Sequence, residues 1–333
     1  MRARSFIGLM LVLGLSATAE AATAIYCGKL VQVEPLKMLE RQTLIIEGNS
    51  ITALQDGYQA AGLDDEIIDL KDATCMPGLM DMHVHLTSEL SPKRYIETFT
   101  LNAADYAIRA TANARKTLLA GFTLVRDLGD KSHGESIALR NAISRGDVPG
   151  PRIIAAGKSI ATTGGHADTS NGRKRELMID LGPEGGVING PIEARQAVRK
   201  RYKNGADMIK ITATGGVLSV AKSGQNPQFM DDELEAIIAT ARDYGMPVAA
   251  HAHGTEGMYR AVAAGVDSIE HGTYMDERTM KLMKKQGTWF VPTIMAGIWV
   301  QEKAQEDGFF PEMVRTKAAA IGPLMQEKFG EAY

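Results

Sequence analysis

Beyond Pro77, strand-like and helix-like segments alternate along the chain, and this alternation restricts the fold more than any other feature. Short apolar segments predict seven buried strands, at residues 79–86, 122–129, 151–160, 207–216, 247–254, 267–274 and 288–294. Helical periods fill the intervals, at residues 102–120, 135–145, 192–204, 231–244, 254–264 and 276–286. Strands joined by helices in this way form parallel sheets, either open and doubly wound or closed into a (β/α)8 barrel.

The polar residues favour the barrel, because they collect where the predicted strands end. The residues concerned are His83, His85, Asp127, Lys210, His251, His253, Glu270 and His271. Barrel enzymes build their sites at the C-terminal ends of several strands. A dinucleotide-binding fold would instead carry a Gly-rich turn after its first strand, and the sequence has none there. We therefore predict a TIM-like (β/α)8 barrel over residues 76–333.

The predicted barrel lacks its eighth strand. Only seven candidate strands follow Pro77, and residues 311–333 have a helical pattern. A barrel with a strand missing leaves two unpaired edges. This sequence is therefore either a fragment of a longer protein, which we favour, or a truncated version without full activity. Its open edges would invite aggregation or pairing between copies as a homo-oligomer.

The N-terminal region has a different character. Residues 1–21 combine Arg2 and Arg4, an apolar run and small residues before Ala21, which is the pattern of a cleavable secretory signal. The apolar run is too short to span a bilayer comfortably. We predict a signal peptide at 1–21 and a periplasmic or secreted mature chain.

Residues 22–75 are rich in β-forming residues and show no helical period, which predicts a small β unit before the main domain. The two cysteines of the chain, Cys27 and Cys75, either pair across neighbouring strands or are two small buried apolar residues. The formal net charge is −3, which gives no reason to expect nucleic acid or an anionic membrane as a partner.

The stretch MPGLMDMHVHL contains the residues most typical of a chemical site. Alternate residues of a strand point to the same side, so His83 and His85 share a face. Neutral imidazole is a good ligand for divalent first-row metals. His251 and His271 lie at the ends of other predicted strands and are further candidate ligands. His253 shares a face with His251 only if its strand continues that far.

Lys210 lies inside the apolar segment DMIKITATGG. A buried ammonium is costly unless it is paired, so one interpretation is a lysine in a salt bridge or reaching solvent. The alternative is a neutral amine, which burial favours by lowering the pKa, and which takes up CO2 to become a carbamate.

Together, PGLMDMHVHL, Lys210, HAHG and SIEHGT resemble the amidohydrolase superfamily. GFTLVRDLG and GGHAD are similar to one branch of it, the imidazolonepropionase-like amidohydrolases and zinc-dependent Xaa-Pro dipeptidases. The resemblance extends from about residue 24 to the end of the chain.

The resemblance implies two divalent metal ions, zinc above all, at the mouth of the barrel. It also implies a small β-sandwich built from both chain ends, of which residues 22–75 would be the N-terminal part. His83 and His85 would hold the more buried ion, and His251 and His271 the second, with carboxylated Lys210 bridging the two. A hydroxide between the ions would attack the scissile carbonyl. Family members add an aspartate on strand eight as metal ligand and proton shuttle, and this sequence offers no such residue.

Three further residues are candidates for contacts with substrate. His166, in a Gly-rich loop, would polarise the scissile carbonyl, although an unconnected surface histidine explains it equally well. Tyr274 would bind a substrate carboxylate or pack at the rim, and His253 would contact substrate. The loop of residues 169–190 is long enough for a lid, and its three basic residues, Arg173, Lys174 and Arg175, are interpreted as a solvated charge run. For Arg126 we predict a structural ion pair.

The leading functional hypothesis is a metal-dependent amide hydrolase, namely a dipeptidase of the Xaa-Pro type. A cyclic amide hydrolase uses the same chemistry, and so does an esterase or lactonase. The missing aspartate leaves an inactive metal-binding fragment as the alternative from another class. A periplasmic binding protein would need two similar lobes, and the sequence shows no such duplication.

Overall fold

The computed structural model describes residues 21–59, 62, 64–130, 134–220 and 224–333. The predicted signal peptide therefore lies outside the described residues, except for its last position. The chain divides into two compact units, Met1–Pro77 and Gly78–Tyr333. Among the described helices, none is long and apolar enough to cross a membrane.

The first unit contains one four-stranded sheet. Its strands are β1 (Thr23–Val33), β2 (Leu36–Glu47), β3 (Ser50–Asp56) and β4 (Glu66–Cys75). The strand order is β3-β2-β1-β4, with β4 parallel to β1 and the other pairs antiparallel. Cys27 and Cys75 form a disulfide between β1 and β4, which decides between the two alternatives for them. The described residues of this unit supply no second sheet, so the sandwich stays a prediction.

The second unit alternates strands and helices. Its strands are β5 (Leu79–Val84), β6 (Phe122–Asp127), β7 (Arg152–Ala155), β8 (Ala161–Thr162), β9 (Val187–Ile188), β10 (Ile209–Thr212), β11 (Val248–Ala252), β12 (Ser268–His271) and β13 (Trp289–Val291). Its helices are α1 (Arg94–Thr100), α2 (Ala103–Leu119), α3 (Glu135–Ser144), α4 (Gly182–Gly185), α5 (Pro191–Lys203), α6 (Asp231–Asp243), α7 (Thr255–Ala264), α8 (Glu277–Gln286), α9 (Ile294–Lys303) and α10 (Glu312–Ala332).

Seven of these strands follow one another as parallel neighbours. β5-β6-β7 form one sheet and β10-β11-β12-β13 another. The two sheets meet where Ile160 bridges Ile211 and where the Asp207 amide donates to the Ala155 carbonyl at 2.8 Å. The described residues contain no pairing between β5 and β13, so the parallel α/β sheet of the prediction is confirmed but the barrel is not closed.

Local chemistry explains where the helices begin and end. Asp276 caps the N-terminus of α8, because its carboxylate accepts the Thr279 amide at 2.9 Å, and Gly287, with a positive φ of 74°, follows the last residue of the helix. Fully buried aliphatic side chains from the strands pack against those of the helices, among them Ile209 and Ile269. This packing fixes the strand ends, where the polar residues lie.

Three segments differ from the predictions. The predicted strand 288–294 ends at Val291, because Thr293 adopts a left-handed conformation and α9 starts at Ile294. α1 was not predicted. Residues 169–190 are not a plain loop, since they contain a 3₁₀ turn, α4 and strand β9, which pairs with β8.

Candidate active site

The predicted histidine ligands come together at the C-terminal ends of their strands. The ring centroids of His83 and His85 lie 5.4 Å apart, and His83 lies 4.9 Å from His271. His251 lies 4.7 Å from both His253 and His271. Five imidazoles, which lie in β5, β11 and β12 or directly after β5 and β11, therefore form one cluster. The His83 side chain is buried, whereas His85 is exposed.

Three members of the cluster can hold one metal ion. The ring nitrogens of His251, His253 and His271 all lie within 4.8 Å of one another. An ion binds imidazole nitrogen at about 2.1 Å, so it would draw these nitrogens closer together. Burial lowers the pKa of His251 and His271 well below its ordinary value, and that of His253 to about 3. The rings are therefore neutral, as metal ligands must be. His253, predicted to contact substrate, joins this group.

Lys210 lies in β10 and is buried. Among the described residues its Nζ atom has no hydrogen-bond partner. Burial lowers the pKa of Lys210 to about 8. The Glu270 carboxylate acts to raise this pKa, and the Arg126 guanidinium acts to lower it. The interpretation of Lys210 as a salt-bridged lysine therefore finds no partner among the described residues, and the neutral amine forms at mildly basic pH.

A buried carboxylate, which the sequence analysis placed at a strand end without assigning it a role, contacts the cluster. Glu270 is fully buried in β12; one of its oxygens lies 2.8 Å from His83 Nδ1 and the other 2.6 Å from Arg126 Nη2. The ion pair predicted for Arg126 is thus confirmed. The position of Glu270 directly before His271, inside an apolar strand, was the available signal.

His166 stacks on His251, with the ring centroids 4.2 Å apart. Its amide donates to the Gln228 side chain at 2.8 Å, and its buried Nδ1 has no hydrogen-bond partner among the described residues. Burial lowers the pKa of His166 well below its ordinary value, and the nearby charges of Arg94 and Lys317 add to this effect. His166 is therefore part of the cluster and not an isolated surface residue.

Tyr274 contacts the cluster through its backbone. Its amide donates to the His253 carbonyl at 3.0 Å, and its carbonyl accepts from the Thr255 hydroxyl at 2.6 Å. The Tyr274 side chain is partly exposed, which is compatible with a position at the rim of the site.

Two residues of the site have a strained backbone. His271 and Thr293 have φ values of 74° and 50°, in the left-handed region that non-glycine residues seldom adopt. His271 Nδ1 lies 2.7 Å from the Thr293 hydroxyl, so the two strained residues hold each other in place. Strain of this kind persists where surrounding contacts enforce it, and it is frequent at functional sites.

The end of β5 is braced by Asp127. Its two carboxylate oxygens accept the Leu86 amide at 2.8 Å and the Gly129 amide at 3.2 Å, and the Gly129 carbonyl lies 3.1 Å from His85 Nδ1. Burial, together with the charge of Asp130, raises the pKa of Asp127 to about 8, although the backbone donors oppose that rise.

Comparisons with known proteins agree with this geometry. The sequence pattern of the Amidohydrolase family matches residues 74–326. A solved Xaa-Pro dipeptidase with methionine bound in its active site is 52% identical, with a TM-score of 0.90 over 94% of this chain and 77% of that one. A solved prolidase complexed with N-methylphosphonate-L-proline is 31% identical, with a TM-score of 0.83 over 94% of this chain and 76% of that one.

Among curated proteins, the ochratoxinase of Aspergillus niger is 32% identical over 230 residues, which cover 66% of this chain and 47% of that protein. The chain thus spans about half the length of this curated relative. The family pattern covers the strands that carry all five clustered histidines, Lys210 and Glu270. On this evidence the chain belongs to the amidohydrolase family.

Proposed function

We propose that the protein is a metal-dependent hydrolase of amide bonds, and more narrowly a dipeptidase of the Xaa-Pro type. The observation that carries this proposal is the cluster itself, in which neutral imidazoles gather at the ends of three strands. A buried lysine amine, which has no hydrogen-bond partner among the described residues, lies close enough for its charge to lower their pKa. Similarity to the Xaa-Pro dipeptidase and the prolidase supports the narrower substrate class.

Two divalent ions, zinc by the nature of the ligands, fit this set of side chains. His83 and His85 would hold one ion, and His251 and His271 the other, with His253 close enough to take part. When bound, the ions would lower the pKa of a water molecule and polarise the scissile carbonyl.

Lys210, as a carbamate, would help to hold the ions. Its neutral amine would add to the carbon of CO2, so that an N–C bond forms while one C=O π bond opens onto oxygen, and one proton would pass from nitrogen to solvent. The product carries a negative charge where an ammonium would carry a positive one, and it supplies two oxygens as ligands. Burial of the amine favours the first step, because it raises the fraction of neutral lysine at a given pH.

The remaining residues would position the substrate. His166 would donate a hydrogen bond to the scissile carbonyl, since its ring stacks directly on His251. The charges that act on His166 include Arg94 and Lys317, which are both basic. Such surroundings favour a substrate with an anionic group, such as the free carboxylate of a dipeptide, which Tyr274 would contact at the rim. We place the mature enzyme in the periplasm or outside the cell.

The test combines metal analysis with a substrate panel. We expect about two zinc ions per wild-type chain, lost in the His83→Ala/Lys210→Ala variant and retained in Lys116→Met, which changes an exposed lysine. Xaa-Pro dipeptides should be cleaved faster than their C-terminal amides, and faster than cyclic amides. A folded wild-type chain without metal would refute the proposal. Metal without turnover of any substrate in the panel would refute the enzyme and leave the alternative of a metal-binding fragment.

A further inference from the structure

We propose that Glu270, held by Arg126 and Ser268, is a positioning residue that fixes His83 with its Nε2 lone pair directed to a metal ion. This inference rests on the proposed function, because it assigns a ligand atom of that site. It also makes a statement about the metal-free chain, which can be tested separately.

The contacts form a closed network across three strands. Glu270 Oε2 lies 2.8 Å from His83 Nδ1, so β12 contacts β5 directly. The second oxygen, Oε1, accepts from Arg126 Nη2 and from the Ser268 hydroxyl, each at 2.6 Å. Arg126, in β6, also donates to the Ser268 hydroxyl at 3.0 Å and to the Met82 carbonyl at 2.7 Å.

The network selects one form of His83. An ionised carboxylate only accepts hydrogen bonds, so the proton of the neutral imidazole must be on Nδ1 to donate to Glu270. The Nε2 atom is then unprotonated and available as a ligand. Carboxylates that accept from metal-binding histidines orient the ring in this way, and their loss typically weakens metal binding by about 10–100-fold.

Arg126 and Ser268 make the assignment specific. Glu270 is fully buried, and a buried carboxylate without a cation would be costly. The Arg126 ion pair offsets this cost and, with Ser268, occupies one oxygen, which leaves the other for His83. The network therefore holds Glu270 in a single orientation.

The Glu270→Gln variant separates positioning from packing, because glutamine keeps the size of the side chain. Its amide oxygen would face Arg126, the stronger donor, which turns the NH2 group toward His83. His83 Nδ1 must then accept, and its proton moves to Nε2. Glu233→Gln is the matched control, since Glu233 is also a buried glutamate but accepts the amides of Gly190 and Met230 instead.

The first measurement is ¹⁵N NMR of histidine-labelled, metal-free protein, with the His83 signals assigned by the His83→Gln variant. We expect a proton on Nδ1 of His83 in the wild type and in Glu233→Gln, and a proton on Nε2 in Glu270→Gln. A wild-type proton on Nε2 would overturn the inference even if Glu270→Gln failed to fold.

The second measurement is zinc affinity by competition with a chelator. We expect affinity to fall about 10–100-fold in Glu270→Gln and to stay within twofold of wild type in Glu233→Gln. Unchanged affinity in Glu270→Gln would overturn the inference. A wild type that binds no zinc would instead refute the proposed function, while the NMR result would still decide the form of His83.

Discussion

Thr293 shows how a single residue can carry both strain and a functional contact. A β-branched side chain at a φ of 50° is unfavourable, yet the Thr293 hydroxyl is the partner of His271 Nδ1. His271 is itself at a φ of 74°. The strained backbone therefore coincides with the contact that orients His271, a predicted metal ligand.

Two substitutions at Thr293 separate the strain from the contact. Thr293→Ser keeps the hydroxyl and removes the branch, so we expect equal or higher stability and unchanged zinc affinity. Thr293→Val keeps the branch and removes the hydroxyl, which leaves His271 Nδ1 without this partner and should cost about 1–3 kcal/mol of unfolding free energy. Urea unfolding and zinc competition would measure both effects. Equal unfolding free energies and equal zinc affinities of the two variants would contradict the role assigned to the hydroxyl.

The buried carboxyl group of Asp127 makes the stability of the fold depend on pH. Its pKa is raised from the ordinary value of 3.8 to about 8, so between these values the folded chain keeps a proton that the unfolded chain releases. The contribution of Asp127 to stability is therefore fully present below about pH 4 and is lost as the pH rises through 8.

The Asp127→Asn variant removes this titration. We expect the unfolding free energy of the wild type, relative to that of the variant, to fall steadily as the pH rises from 4 to 8. Urea unfolding of both proteins with chelator present, at several pH values, gives this difference without linkage to metal. A difference that does not change with pH would show that Asp127 is ionised throughout and that its backbone donors outweigh its burial.

At the scale of elements, the loop after β10 is shaped by a close approach to His166. A Cβ atom at Gly216 would lie 2.1 Å from two atoms of the His166 ring, which is far inside van der Waals contact. Only glycine therefore allows the loop to pass beside the imidazole. The loop therefore packs directly against the His166 ring, which is stacked on His251.

Gly216→Ala should displace His166 while leaving the ligand histidines in place. We expect kcat/KM for an Xaa-Pro dipeptide to fall at least tenfold with unchanged zinc content, because His166 is proposed to contact substrate and not metal. Gly224→Ala is the control in the same loop, since its added Cβ would meet nothing closer than 3.6 Å. Loss of zinc in Gly216→Ala, or equal loss of activity in both variants, would contradict this separation.

Sequence periodicity predicted the seven parallel strands and the helices between them, because buried strands and amphipathic helices leave distinct patterns. It failed at α9, where WFVP suggests a continuing strand and only the conformation of Thr293 reveals the turn. It also missed the role of Glu270. Spacing shows which strand ends carry polar groups, but the contact between β12 and β5 depends on how strongly the sheet curves.

At the scale of the whole molecule, the site joins strands that are distant in the sequence. His83 lies in β5, Lys210 in β10, His251 in β11 and His271 in β12, and each reaches the cluster from a different parallel strand. A ligand that binds only the folded chain stabilises it by mass action, by about 2.7 kcal/mol when its free concentration is a hundred times Kd. Metal bound here would connect four strand ends at once.

Zinc should therefore slow amide hydrogen exchange most strongly at the C-terminal ends of β5, β10, β11 and β12. Exchange followed by mass spectrometry, with zinc and with chelator, would show this pattern, and urea unfolding should show a gain of about 2–3 kcal/mol at a hundredfold excess over Kd. β1–β4 carry no predicted ligand and serve as the internal reference. The Lys210→Ala/His251→Ala variant should lose the zinc effect. Protection that appeared equally in β1–β4, or that persisted in the double variant, would place the metal elsewhere.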